Sequence, residues 1–169
     1  SANHFLEDAK DLCEIQGWYY QYRGINSVSL RLLLALNNWE AWRKEAYLNH
    51  LEIRNIYEYL GSNVLPGFKK GKTLHSDDKY TLKQCEGKHG LITNEVWFKA
   101  FEGLDPITET YIRNMRANGE KINKNPRIIM STIHGAKGGE ADKVLLMQDL
   151  TNAALETFSH DPDELHRLF

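Results

Sequence analysis

RIIMSTIHGAKGGEADKVLLM occupies residues 127–147. Two apolar runs, RIIMSTI and KVLLM, flank three glycines, a histidine, a lysine and a glutamate. An unbroken apolar run of this kind suits a strand buried on both faces, as in a parallel sheet. The stretch therefore predicts two buried strands joined by a glycine-rich loop. Gly135, Gly138 and Gly139 let the backbone turn sharply and approach a ligand closely. Thr132 and His134 alternate along the first strand, so both are expected on one side at its end. Lys137 offers a positive charge for phosphate, and Glu140 a carboxylate for a hydroxyl or a cation. Open α/β sheets bind ligands beyond the carboxyl ends of their strands, which is where this loop sits. A plain strand connection with solvated charges is the competing reading of the same residues.

Working back towards the start, the pattern alternates helix and strand. Leu6, Ala9, Leu12 and Cys13 recur at helical spacing, and Gly17 supplies a stop. WYYQYRG, residues 18–24, is aromatic and short and reads as a strand. Ser27 is a candidate cap for a helix carrying Leu30, Leu33, Leu34, Trp39 and Trp42. The two tryptophans, at i and i+3, suit core packing. Ile53, Ile56, Tyr57 and Leu60 mark a third helix, with Gly61 closing it. From residue 62 to about 91 the periodicity dissolves into a lysine-rich stretch with few apolar residues, expected as a loop. Val96, Trp97, Ala100 and Phe101 suggest a short helix. Asp105-Pro106 is a good start for another, carrying Ile107, Tyr111 and Met115 and ending near Asn118-Gly119. After the second apolar run two short helical stretches are expected, the last capped by Asp161 with Pro162 at its first position.

Composition narrows the class. The 169 residues are 41% hydrophobic and 26% charged, ordinary for a globular chain. A formal net charge of -2 gives no global electrostatic case for nucleic acid. Cys13 and Cys85 lie far apart, which points to a reduced, cytoplasmic protein without a disulfide framework. No apolar run approaches the roughly 20 residues that span a bilayer, so no membrane partner is expected. The opening inside a helical pattern and the ending at ELHRLF suggest a piece of a longer protein.

TIHGAKGGE fits T-x-H-x-A-K-G-x-E at every specified position and in order. This resembles motif V of the UvrD/Rep-type superfamily 1 DNA helicases. That family more often has serine where this chain has Gly135, and leucine where it has Gly139. NHFLEDAKDLCEIQGWYYQYRG resembles the end of the family's motif IV with its following helix and strand, and SVSLRLLLALNNWEAWRK the next helix. The likeness is weakest between residues 62 and 118. It implies an α/β fold: part of the second RecA-like motor domain, a parallel sheet with flanking helices and a mostly helical insertion. On that reading residues 1–44 open the domain, 45–125 form an accessory insertion with a basic loop, and 126–169 resume the domain.

In such helicases two RecA-like domains sandwich ATP and Mg2+ while single-stranded DNA crosses their top. Carried over by position, Thr132 and His134 would lie near the DNA backbone and couple it to the nucleotide site. Glu140 would reach the ribose of ATP, Gly138 would allow the tight turn, and Lys137 would sit by phosphate or DNA. The implied partners are single-stranded and duplex DNA and the first RecA-like domain. The phosphate loop, the acidic magnesium motif and the arginine of motif VI have no counterpart in the sequence, so this chain alone is expected to hold neither ATP nor Mg2+ tightly and to be inactive.

Two other stretches need weighing. Lys69, Lys70 and Lys72 lie in GFKKGKT, residues 67–73, which looks like a phosphate loop. Only three residues separate Gly67 from Gly71 where the pattern needs four, and no convincing strand precedes them, so a basic surface loop is the better reading. Such lysines could track a DNA backbone, with Tyr80 or Trp97 stacking on bases. A non-enzymatic DNA- or protein-binding module built on residues 69–88 is thus the rival to the motor. A nucleotide enzyme of another kind, matching motif V by accident, is a further rival. Three adjacent parallel strands would argue against that one. His75, Cys85 and His89 form a weak metal-ligand set without a second cysteine pair.

Overall fold

The computed structural model of the chain describes residues 3–121 and 124–146, with side chains from Leu6 onward. Within these the chain is mixed α/β. Helix α1, Asn3–Gln16, stops at Gly17, whose φ of +65 is a left-handed turn. A Cβ there would come within 2.9 Å of the backbone of α6, so glycine is needed for close approach as well as for the turn. Strand β1, Tyr20–Tyr22, pairs antiparallel with β2, Ile25–Asn26.

Helix α2, Leu30–Arg43, buries Leu33, Leu36, Trp39 and Trp42 completely. Its cap is Ser29, not the expected Ser27: the Ser29 side chain accepts from Leu32 N at 3.2 Å. Ser27 is occupied elsewhere. Its hydroxyl lies 2.8 Å from the Tyr111 hydroxyl, which itself donates to Trp18 O at 2.7 Å. That pair ties the sheet to a helix more than eighty residues later.

Strand β3, Leu48–Asn49, leads into α3, His50–Tyr57, through a capping box. Asn49 accepts from the Leu51 and Glu52 amides, and Glu52 accepts back from Asn49 N. Ile53, Ile56, Tyr57 and Leu60 are all buried. Beyond them, residues 62–91 form packed structure, which corrects the expected loop. Strand β4, Lys79–Tyr80, pairs antiparallel with β3, and the single-turn helix α4, Leu82–Cys85, follows with its own capping box. The few apolar residues of this segment, Val64, Tyr80, Cys85 and Leu91, are all buried. Helix side chains from earlier in the chain hold its backbone. Trp42 Nε1 donates to Tyr80 O at 2.9 Å, and Tyr57 Oη donates to His89 O at 3.2 Å. Such long-range anchors leave no periodic trace in sequence.

Helix α5, Trp97–Ala100, lies against α2: Trp39 Nε1 donates to Glu95 O at 3.0 Å, and Trp97 N to Glu40 Oε1 at 3.2 Å. Helix α6, Pro106–Ala117, starts where expected, with Asp105 accepting from Thr108 N and proline at the first turn. It buries Tyr111, Ile112 and Met115, whereas Ile107 faces solvent.

Strand β5, Ile128–Met130, pairs parallel with β1, joining Tyr20 to Ile128 and Tyr22 to Met130. Arg127, just before it, is fixed by Glu120 at 2.7 Å. The sheet order is β2-β1-β5, so β5 lies at an edge and the sheet is mixed. Three adjacent parallel strands do not occur among the described residues. Two expectations change here. Met130 is buried but Ile129 is 67% exposed, because β5 has a neighbour on one side only and one face open. Residues 143–146 are not a strand: they run as coil, with Val144 and Leu145 more than 80% exposed. An apolar run becomes a strand only where a pairing edge and a covering layer are present. Met147 and the two expected terminal helical stretches lie outside the described residues. No helix among the described residues is long and apolar enough to cross a membrane.

Candidate functional site

The glycine-rich loop leaves the carboxyl end of β5 and winds at once into α7, Ile133–Ala136. Thr132 caps this turn: its Oγ1 accepts from Gly135 N at 3.2 Å, and its carbonyl accepts from Ala136 N at 3.0 Å. Thr132 and His134 therefore do not alternate along a strand. The strand ends at Met130, and Thr132 instead takes the extended conformation of a helix cap. Gly135 has a local reason to be glycine, since a Cβ would run into the Ser131 hydroxyl. Gly138 has φ +80 with open space around it, so it is required for the turn and not for packing. Gly139 N donates to Ala136 O at 2.9 Å and closes the loop.

Every residue from Thr132 to Leu146 is exposed. Lys137, His134 and Glu140 thus extend from one short, hydrogen-bonded turn into solvent. The turn presents a hydroxyl, an imidazole, an ammonium and a carboxylate, the groups that contact phosphate, ribose or a nucleic-acid backbone. It does not enclose anything. Exposed Ile129, Ile133, Val144, Leu145 and Leu146 flank it, giving an apolar border to a polar loop.

The lysine segment lies elsewhere, on α3. Gly67, at φ +93, opens a turn, and Lys69–Gly71 forms a short 3-10 helix with Lys70 at φ +65. Gly71 is buried against Leu74 and the Arg54 stem, and Phe68 covers Gly90. No strand leads into GFKKGKT and no α-helix follows directly, so its backbone lacks the strand-loop-helix frame of a phosphate loop. Lys69, Lys70 and Lys72 are exposed. Lys69 and Lys70 border a hollow of about 420 Å³ together with Arg31, Tyr57, Glu58 and Gly61.

Of the three residues weighed for metal, Cys85 and His89 are buried and His75 is exposed. His89 Nδ1 lies 2.9 Å from Thr73 Oγ1, and its ring meets Tyr80 edge-on. Burial pushes the Cys85 thiol up to about 11, which makes it a poor nucleophile at neutral pH. No group of three or more His, Cys, Asp or Glu suited to a metal occurs among the described residues.

The sequence reading missed a second hollow, about 470 Å³, between α2 and α3, where Leu30, Leu34 and Leu51 are exposed. The signal was present: α2 has leucines on more sides than one buried face needs. Comparison with protein-family models, with curated proteins and with solved structures finds no match for this chain.

Proposed function

We propose that the chain is part of the second RecA-like motor domain of a UvrD/Rep-type DNA helicase. The parent would couple ATP hydrolysis to translocation on single-stranded DNA and duplex unwinding. The observation that carries the reading is the T-x-H-x-A-K-G-x-E signature on a loop at the carboxyl end of β5, a strand parallel to β1. The helical segment between the two strands is compatible with the insertion that the family carries at this point.

In this reading the exposed loop is one half of a composite site. Thr132 and His134 meet the DNA backbone, and Lys137 neutralises phosphate. Gly138 allows the turn that brings Glu140 to the ribose of ATP. The partner domain supplies the phosphate loop and the carboxylate for Mg2+. The chain alone then has nothing to polarise the γ-phosphate or to hold the metal, and its own ATP turnover should equal that of a Lys137→Ala control. Phosphate release above that control, with or without single-stranded DNA, refutes the assignment of Lys137 and Glu140 to half a site.

The binding-module reading keeps one specific support, the hollow bordered by Lys69 and Lys70. Fluorescence titration with single-stranded DNA separates the two. Salt-sensitive binding lost on replacing Lys69, Lys70 and Lys72, but indifferent to Thr132 and His134, favours the module. Sensitivity at Thr132 and His134 favours the motor.

A further inference from the structure

We propose that the surface between α2 and α3 docks an acidic, leucine-bearing helical segment of a partner protein. The proposal does not rest on the motor reading. Leu30 and Leu34, one turn apart on α2, and Leu51 on α3 are 51%, 44% and 61% exposed over one hollow. Three leucines left open at a helix-helix seam are spaced to receive the apolar stripe of a third helix.

Charge selects the occupant. The chain is net negative, yet this surface gathers Arg31, Arg54, Lys69 and Lys70. The hollow over the leucines and the one beside the lysines share Arg31 and Glu58, so they form one continuous groove. Glu58 is its only lining carboxylate, and Arg31 Nη2 holds it at 2.6 Å. Glu102 lies behind Gly61 and attracts Lys69, but it already accepts hydrogen bonds from Ser62 and Asn63. The apolar end is therefore followed by a cationic end, which complements acidic residues on the incoming segment.

The floor is already built. Arg31 Nε donates to Asn55 Oδ1 at 3.0 Å, and Asn55 Nδ2 donates back to Arg31 O at 3.0 Å. These bonds lock α2 to α3, so docking needs little reorganisation. The lining also argues against nucleic acid. Bases bind by stacking on aromatic faces, and the one aromatic residue here, Tyr57, is 2% exposed with its hydroxyl donating to His89 O.

The test is a heteronuclear NMR titration of the whole chain. The probe is a helical peptide of about 15 residues, with leucines at i, i+4 and i+7 and glutamates on the flanks. Controls are the same peptide with lysine for glutamate and an oligothymidylate. The glutamate peptide should shift the amides of Leu30, Leu34, Leu51, Lys69 and Lys70. Its affinity should fall about tenfold or more in Leu34→Gln and in the Lys69→Glu/Lys70→Glu double variant. All these side chains are exposed, so an unchanged urea midpoint verifies folding. The lysine peptide should regain binding to the charge-reversed variant. Absence of shifts up to about 1 mM peptide, or equal binding of both peptides, overturns the proposal. So does oligothymidylate binding that needs Lys69 and Lys70 but ignores Leu34, which would make the surface a nucleic-acid site.

Discussion

The segment 62–91 and the segment 131–146 invert what their compositions promise. The first is rich in lysine and poor in apolar residues, yet Val64, Tyr80, Cys85 and Leu91 are buried and its backbone hangs from Trp42 and Tyr57. The second contains isoleucine, valine and paired leucines, yet it lies open from Thr132 onward. Apolar content alone decides neither. What matters is whether another element supplies a covering face and a hydrogen-bond partner. The first segment has both within the described residues. The second has one strand neighbour, β1, and an uncovered border.

The sharpest way to break this comparison is to remove the anchor of the first region. Trp42→Ala deletes a fully buried indole and the donor to Tyr80 O, and should cost about 3–5 kcal/mol in urea unfolding. Trp42→Phe, which keeps much of the packing, should cost about 1–2 kcal/mol. A near-neutral Trp42→Ala would show that the lysine-rich segment stands without its anchor.

Gly17→Ala comes next. Its Cβ would press on the Asn114 and Met115 backbone at 2.7–2.9 Å in a left-handed conformation, so about 2 kcal/mol should be lost. Gly138→Ala has the same sign of φ but open space, and should leave the global unfolding midpoint nearly unchanged.

His89 gives a smaller, pH-dependent effect. Burial, with Lys88 and His75 nearby, holds its pKa below the ordinary imidazole value. Its Nε2 is buried without a hydrogen-bond partner, among Tyr57, Tyr80 and Cys85. The folded state therefore binds fewer protons than the unfolded one. The neutral ring's contribution is complete above about pH 6.5 and declines as pH falls below it. The urea midpoint should drop between about pH 7.5 and 5.5, and less so in His89→Gln. The lowered carboxyls of Glu102 and Asp105 act at lower pH, since their contributions are lost only as pH falls through their folded values. An unchanged midpoint would show that the ring stays neutral, or solvated, in both states.

The smallest effects belong to the open loop. Lys137→Ala and Glu140→Gln should alter unfolding by no more than about 0.5 kcal/mol, as for exposed positions in general. A larger loss would reveal a packing role for the loop.

The sequence carried much of this, unevenly. Trp39 and Trp42 on one helical face, the Asp105-Pro106 start of α6 and the pairing candidates 18–22 and 127–133 all rest on local chemistry, and the structure places a helix or strand at each. The loop glycines were legible as turn formers, although Thr132 caps a helix and does not extend a strand. The fold of residues 62–91 was not legible because its anchors come from α2 and α3, tens of residues away. KVLLM misled because hydrophobicity states a need for burial, not its fulfilment. The α2–α3 groove was hidden by the same ambiguity, since Leu30 and Leu34 have the same chemistry as Leu33 and Leu36.

Native-state amide hydrogen exchange tests the contrast most directly, because it reads local stability residue by residue. Amides of Leu36, Trp39, Ile53 and Ile56 should exchange only through global unfolding, and those of Cys85 and Leu91 should approach that limit. Amides of residues 137–146 should exchange within the first time points. Protection of 137–146 equal to that of α2 and α3 would contradict the account: the loop would then be a closed part of the core and not an open face awaiting its partner.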